Sequence, residues 1–336
     1  MSDLPDEPAA QSTIHDAVAD LEPAALSLLR SLIQTPSVTG AEGAHDDPAC
    51  VAGRLWASLD RVGVERHHDA VLPGRDNIIA VLPGDPAGGV FVLDAHTDTV
   101  PPGASEQWHD GNPYSAADGE VRYLGGDRVR LVVADLTIER PVRHRLGRLW
   151  EARPYRSAPV IYGRGSFDNK GPVAVAWLAT VALASALQRA GLRLGGTLVC
   201  GFVIDEEQNM AGVRALAGGA GSWLDRAGLL PAEIGADGWR DGIAGVALDG
   251  SYGFVPVVGH RGIAQMVIRA HGQAAHAATP ALGVNAVVRM AEALAALDRD
   301  PERLGAELAP LFADDVLEPA TAAIGTTIAG GGVRAV

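Results

Sequence analysis

The chain has 336 residues, 47% hydrophobic and 20% charged, with a formal charge of −14. That size and balance describe a globular protein with a sizeable core and room for two domains, and the acidity argues against a broad nucleic-acid-binding face. No run of about 18 or more uncharged apolar residues marks a membrane span, and the acidic start lacks a signal-peptide core, so a cytoplasmic protein is expected.

Apolar positions at helical spacing predict a first helix over residues 15–34, broken by Pro36 and Gly40. "DDPACVAGRLWASLDRVGV" predicts a second, with Asp47 as N-cap and Pro48 in its first position. Two apolar strands follow, "NIIAVLP" and "GVFVLDA", with "GDPAGG" read as the turn between them. Residues 118–160 interrupt this texture. They hold nine arginines against six acids, and "VRLVVADLTIE" predicts an inserted hairpin. "GPVAVAWLATVALASALQRAG" is a long helix with Pro172 in its first turn, and "GTLVCGFVIDEE" a buried strand ending in acids. "MAGVRALAGGAGSWLDRAG" is helical but weakened by glycines, and "GIAGVALDGS" is a strand. Strands alternating with helices indicate an α/β domain with a mostly parallel sheet.

Near Gly259 the pattern changes. "GHRGIAQMVIRAHGQAAHAATP" alternates like a strand pair, "GVNAVVRMAEALAALD" is an amphipathic helix, and "AAIGTTIAGGG" is strand-like. The expected organisation is a domain over 1–258, including the 118–160 insertion, and a smaller α+β domain over 259–336. Neither Cys50 nor Cys200 belongs to a disulfide framework or metal motif; Cys200 reads as a small core residue. Of 27 basic residues, Lys170 alone is lysine, which hints at a site-specific need.

The chemistry gathers where strands end. In "GVFVLDAHTDTVPPG", Asp94, His96 and Asp98 fall on alternate positions and so share one face. An H-x-D alone fits a solvated strand end as well as a metal ligand with its orienting carboxylate. The conjunction is more telling. Asp205, Glu206 and Glu207 close a later strand and Asp249 another, while Asp168 sits in a Gly-rich loop before a helix. Each has a bland reading: a solvated pair for Glu206 and Glu207, a helix cap for Asp168, a strand end for Asp249. Open α/β sheets nevertheless bind ligands at the carboxyl ends of their strands, and one imidazole with several carboxylates suits a divalent metal.

"HTDTVP", "YGRGSFDNKGP", "DEE" and "GQAAHAATPALGVNA" occur in the order and approximate spacing of one superfamily. It is the dinuclear metallohydrolases that include glutamate carboxypeptidase, succinyl-diaminopimelate desuccinylase, acetylornithine deacetylase, aminoacylase and the metal-dependent dipeptidases. The likeness spans roughly residues 30–336 outside the insertion, and "GRGSFDNKGPVAVAW" most resembles the carnosinase-like and bacterial dipeptidase branch.

The resemblance implies roles. His96 would be a ligand of one metal, Asp98 its orienting carboxylate, Asp168 the bridge between two metals, Glu206 the general base, Glu207 a ligand of the second metal, and Asp249 the remaining ligand of the first. His276 would supply a donor to the tetrahedral oxyanion, often across a dimer. For Asn285 a helix cap comes first and substrate contact second; for Arg261 a substrate carboxylate and a surface role weigh equally. Lys170 would brace the bridging loop. The remaining histidines considered (His67, His68, His109, His144, His260 and His271) carry no functional expectation.

The implied activity is hydrolysis of an amide bond in a small substrate, a dipeptide or an N-acyl amino acid. It would use two divalent ions of the zinc type, with cobalt or manganese as alternatives, and a water shared by metals about 3.5–4 Å apart. A homodimer through the second domain is the expected assembly, with neither nucleic acid nor membrane as partner. The rivals are a catalytically silent homologue serving dimerisation or ligand binding, and a metal-dependent phosphoesterase. The family's second metal normally takes a histidine near the C-terminus, and no histidine follows His276. On that ground a truncated member is expected, with a half-built lid, one tight metal site through His96, Asp168 and Asp249, and poor hydrolysis.

Overall fold

The structure, a computed structural model, describes residues 7–125, 128–141, 157–230, 242–250 and 267–298. By its internal contacts the chain divides into two compact units, Met1–Phe254 and Val255–Val336.

The first unit opens with helices α1 (Glu7–Ile33) and α2 (Val51–Arg61), then strands β1 (Glu65–Leu72), β2 (Arg75–Leu82) and β3 (Val90–His96). Strands β4 (Ala117–Gly125), β5 (Arg128–Val133), β6 (Leu136–Pro141) and β7 (Ser157–Tyr162) follow. After them come α3 (Lys170–Ala190), β8 (Thr197–Val203), the short helices α4 (Ala211–Ala217) and α5 (Trp223–Arg226), and β9 (Ile243–Ala247).

The central sheet runs β1-β2-β8-β3-β9. Its β8-β3-β9 part is parallel, whereas β1-β2 and β2-β8 are antiparallel, so the described sheet is mixed. Alternate residues face opposite layers. Ile78, Ala80, Leu82, Ala95, Cys200 and Phe202 join one core with Leu32 of α1, Leu55 and Leu59 of α2, and Val173 and Trp177 of α3. Ile79, Val81, Val92, Val199 and Val203 form the other with Leu216 and Leu224. Complete burial, as at Leu32, Leu55 and Leu59, is worth about 1.5–3 kcal/mol per side chain.

Several local expectations change. Strand β1, "ERHHDAVL", was not anticipated; it lies on the sheet edge with little burial, which removes the apolar alternation that would betray it. The strands on either side of "GDPAGG" do not pair with each other, because β8 lies between β2 and β3. The glycines there serve a close backbone approach instead: a Cβ on Gly88 would lie 1.3 Å from the Gly195 carbonyl oxygen. Helix α2 is capped by Cys50, whose Sγ accepts from the Gly53 N–H, and Asp47 accepts from the Ala49 N–H just outside the helix. The inserted hairpin is a four-stranded antiparallel sheet, β6-β5-β4-β7, over its described residues.

Helix α3 is by length and hydropathy apolar enough to cross a membrane, yet 44% of its apolar window is buried within the protein. It lies against α1 through the small residues Ala17, Ala182 and Ala186, which let two helices approach closely. It is a core helix, ended by Gly191 in the left-handed conformation.

In the second unit, described over 267–298, helix α6 covers Ala286–Asp298. The strand pair expected over 259–280 is reduced, in its described part, to a single antiparallel bridge between Gln273 and Val284. The expected strand at 322–332 lies outside the described residues.

Candidate metal centre

Strand β3 ends at His96, a 4% exposed side chain whose two ring nitrogens meet different surroundings. Nδ1 lies 3.1 Å from the backbone carbonyl oxygen of Asp98 and 3.4 Å from its carboxylate. Nε2 faces Asp168 Oδ1 at 3.2 Å, Glu206 Oε2 at 3.8 Å and Asp249 Oδ1 at 3.9 Å. With Nδ1–H committed to the carbonyl, Nε2 is the nitrogen that can donate to the acids while protonated, or turn a lone pair to a cation held among them. That tautomer is assigned from the partners.

The acids arrive from three places. Asp168 stands in the loop before α3, joined to Asn169 by a cis peptide bond, and Asn169 Nδ2 donates to the Leu248 carbonyl at 3.0 Å, tying this loop to the segment that carries Asp249. Glu206 and Glu207 follow the end of β8, beside β3. Two overlapping donor groups result, His96–Asp168–Asp249 and His96–Glu206–Glu207, each with its atoms within 4.8 Å of one another.

Asp98 does more than orient the imidazole. Fully buried, it accepts the Glu206 N–H on Oδ1 at 3.1 Å, the Glu207 N–H on Oδ2 at 3.2 Å, and the Thr39 hydroxyl at 2.8 Å. Burial would raise its pKa, but the imidazole, the hydroxyl and the Glu206 amide hold it below the usual carboxylate range. Burial disfavours charge on His96 as well; hydrogen bonds to Asp168 and Asp98 outweigh it and push the imidazole up to about 10. Glu206 is raised by burial, then by Asp249, Asp98 and Asp168 against the pull of His96, and Glu207 is raised by burial and Asp168. The cluster is an excess of negative charge around one imidazole, and it favours a cation there.

Lys170, the sole lysine, lies fully buried at the start of α3, with Nζ donating to the carbonyls of Leu32 at 2.8 Å and Thr35 at 2.7 Å. It pins the Asp168 loop to the end of α1. Asp94, on β3 with His96, is raised to about 6, chiefly by burial. In the second unit, His276 is exposed and its Nδ1 accepts the Ala278 N–H, while Asn285 Oδ1 accepts from the Val287 and Val288 N–H groups as the N-cap of α6. Arg261 lies outside the described residues. Thr39, Glu42, Arg75 and Asn77 were missed; the only available signal was "RDN" leading a fully apolar strand.

An imidazole ringed by carboxylates at the carboxyl ends of parallel strands is the kind of centre built to hold divalent ions. By sequence the chain is similar to peptidases and deacylases of the M20 superfamily. Residues 258–335 match the family model of that peptidase dimerisation domain. The chain is 28% identical over 305 residues to succinyl-diaminopimelate desuccinylase of Methylorubrum populi, covering 88% of this chain and 63% of that protein. It is 26% identical over 283 residues to acetylornithine deacetylase of Vibrio cholerae, covering 84% and 57%. A solved tripeptidase from Staphylococcus aureus aligns over 81% of this chain and 55% of that one, at 17% identity and a TM-score of 0.39. The chain thus spans less than two thirds of the length of these relatives.

Proposed function

We propose that the protein is a metal-dependent hydrolase acting on an amide bond of a small substrate, a dipeptide or an N-acyl amino acid. The observation that carries this reading is the position of His96 Nε2, 3.2–3.9 Å from carboxylates of Asp168, Glu206 and Asp249. The donor set fits hard or borderline divalent ions such as zinc, cobalt or manganese. His96, Asp168 and Asp249 would hold one ion, and Asp168 with Glu207 would contribute to a second. Bound there, such ions polarise a scissile carbonyl and bring the pKa of water toward neutrality.

The protein's own residues supply the rest. Glu206 is half-buried and its raised pKa suits a group that takes a proton from the attacking water and returns it to the leaving amine. Asp98 fixes the His96 ring and the backbone on which Glu206 and Glu207 stand. His276 would donate to the oxyanion, and Arg261 and Asn285 would contact substrate, in an assembly that pairs two copies through the second unit. The match of residues 258–335 to a dimerisation domain supports that assembly.

The zinc-loaded chain should release amine from a panel of dipeptides and N-acyl amino acids, slowly where the second metal site is incomplete. A folded, zinc-binding protein inert to the whole panel would instead favour a silent homologue serving ligand binding or dimerisation.

A further inference from the structure

The turn that carries Glu206 and Glu207 is gripped from behind by charges that take no part in the donor cluster. Asp205 has φ +66°, the left-handed region in which a residue bearing a Cβ is uncommon, and its side chain is 2% exposed. Its backbone carbonyl accepts the N–H groups of Asn209 at 3.2 Å and Met210 at 2.6 Å, and two contacts to charged side chains hold it from the other side. Arg75 Nη2 donates to Asp205 Oδ1 at 3.0 Å, and the Asp205 N–H donates to Glu42 Oε1 at 3.2 Å. Arg75 also grips Glu42 in a fork, Nε to Oε2 at 2.8 Å and Nη2 to Oε1 at 2.5 Å. Glu42 is fully buried, and its Oε2 takes a further bond from the Gly40 N–H at 2.9 Å.

This loop also carries Thr39, which bonds Asp98. One loop therefore reaches both acids that set the geometry of the 205–207 turn: Asp98 in front of it and Asp205 behind. Two buried carboxylates share one guanidinium, and Asp205 Oδ2 is buried with no hydrogen-bond partner among the described residues. Buried charges of this kind are a poor route to stability, since apolar residues of similar volume usually do as well. They do fix geometry: the planar fork of an arginine holds carboxylates at set angles, which a lysine does not.

We propose that Arg75, acting with Glu42, is a positioning residue for the Glu206–Glu207 turn. By holding Asp205 in its left-handed conformation it directs the two glutamates toward His96 and Asp168, and divalent-ion affinity depends on it. The inference rests on reading the strand-end cluster as a metal centre, but the position of the turn can be measured without metal.

The test uses the full chain with Arg75→Lys, which keeps the charge and loses the fork, and Arg75→Met. Amide exchange at Glu206 and Glu207 is followed in metal-free protein, and zinc affinity by calorimetry. In Arg75→Lys both amides should exchange at least tenfold faster at nearly unchanged melting temperature, and zinc affinity should fall about tenfold. Adding Asp205→Gly, which adopts a positive φ without restraint, should restore much of the amide protection. A generally destabilised protein would not show that rescue. If Arg75→Met fails to fold, Arg75→Lys decides the matter. Wild-type protection in folded Arg75 variants would overturn the proposal. A wild-type chain that binds no zinc would remove the metal reading, and the exchange comparison would still decide the role of Arg75.

Discussion

The carboxylate of Asp98 accepts the backbone N–H of Glu206 at 3.1 Å, joining the end of β3 to the turn after β8 at the point where the donor cluster forms. The H-x-D pair thereby fixes the imidazole and the glutamate turn together. Asp98→Ala would release both, and loss of such a supporting partner typically costs about 10–100-fold in metal affinity or activity. The expected outcome is zinc binding weakened by that factor in a protein that stays folded, read by calorimetry and circular dichroism.

Glu206 and Glu207 should separate by function. Glu206→Gln removes a proton acceptor but keeps its shape, and should lower turnover about 10²–10⁴-fold with metal content near wild type. Glu207→Gln should lower metal content first. Plasma emission analysis of the two variants beside their hydrolysis rates checks this, and the reverse pattern would exchange the roles.

Much of this centre was legible because its residues sit in short, local patterns. His96 and Asp98 fall two apart at the end of an apolar strand, Asp168 stands in a glycine-rich loop before a helix, and Asp205 and Asp249 follow β8 and β9 after one intervening residue each, Ile204 and Leu248. What supports them was not legible. Glu42, Arg75 and Asp205 meet only after a fold brings residues 33 and 130 positions apart together, and nothing local marks that meeting. The placement of β8 between β2 and β3 is likewise a tertiary outcome, since both neighbours present the same apolar pattern. Strand β1 escaped notice because an exposed edge strand carries no apolar alternation.

Asn77 illustrates such hidden support. Fully buried, its Nδ2 donates to the Gly212 carbonyl at 2.8 Å and its Oδ1 accepts the Ile204 N–H at 3.1 Å. Asn77→Ala would leave two buried backbone groups without these partners, a loss of about 2–4 kcal/mol. Urea denaturation should show that drop; a loss within about 0.5 kcal/mol, as for an ordinary surface change, would mean the two groups find other partners.

Lys170 gives a pH dependence. Burial pulls its ammonium down to about 7, against a normal value of 10.5. Between those values the unfolded chain holds a proton that the folded chain has released, so raising the pH through this window increases the contribution of this residue to stability. From pH 7 to 9 the wild type should gain about 1–3 kcal/mol relative to Lys170→Met, in which the titrating group is gone. Parallel denaturation curves at the two pH values would show instead that the two carbonyl acceptors keep the ammonium charged.

The central claim is that His96 Nε2 and the surrounding carboxylates form a divalent-metal site. Calorimetric titration of the metal-free full chain with zinc, beside His96→Ala, tests it most directly. The account predicts tight binding by the wild type and a loss of at least 100-fold in the variant, with both proteins folded. Equal affinity in the two proteins, or no binding by the wild type, would contradict it.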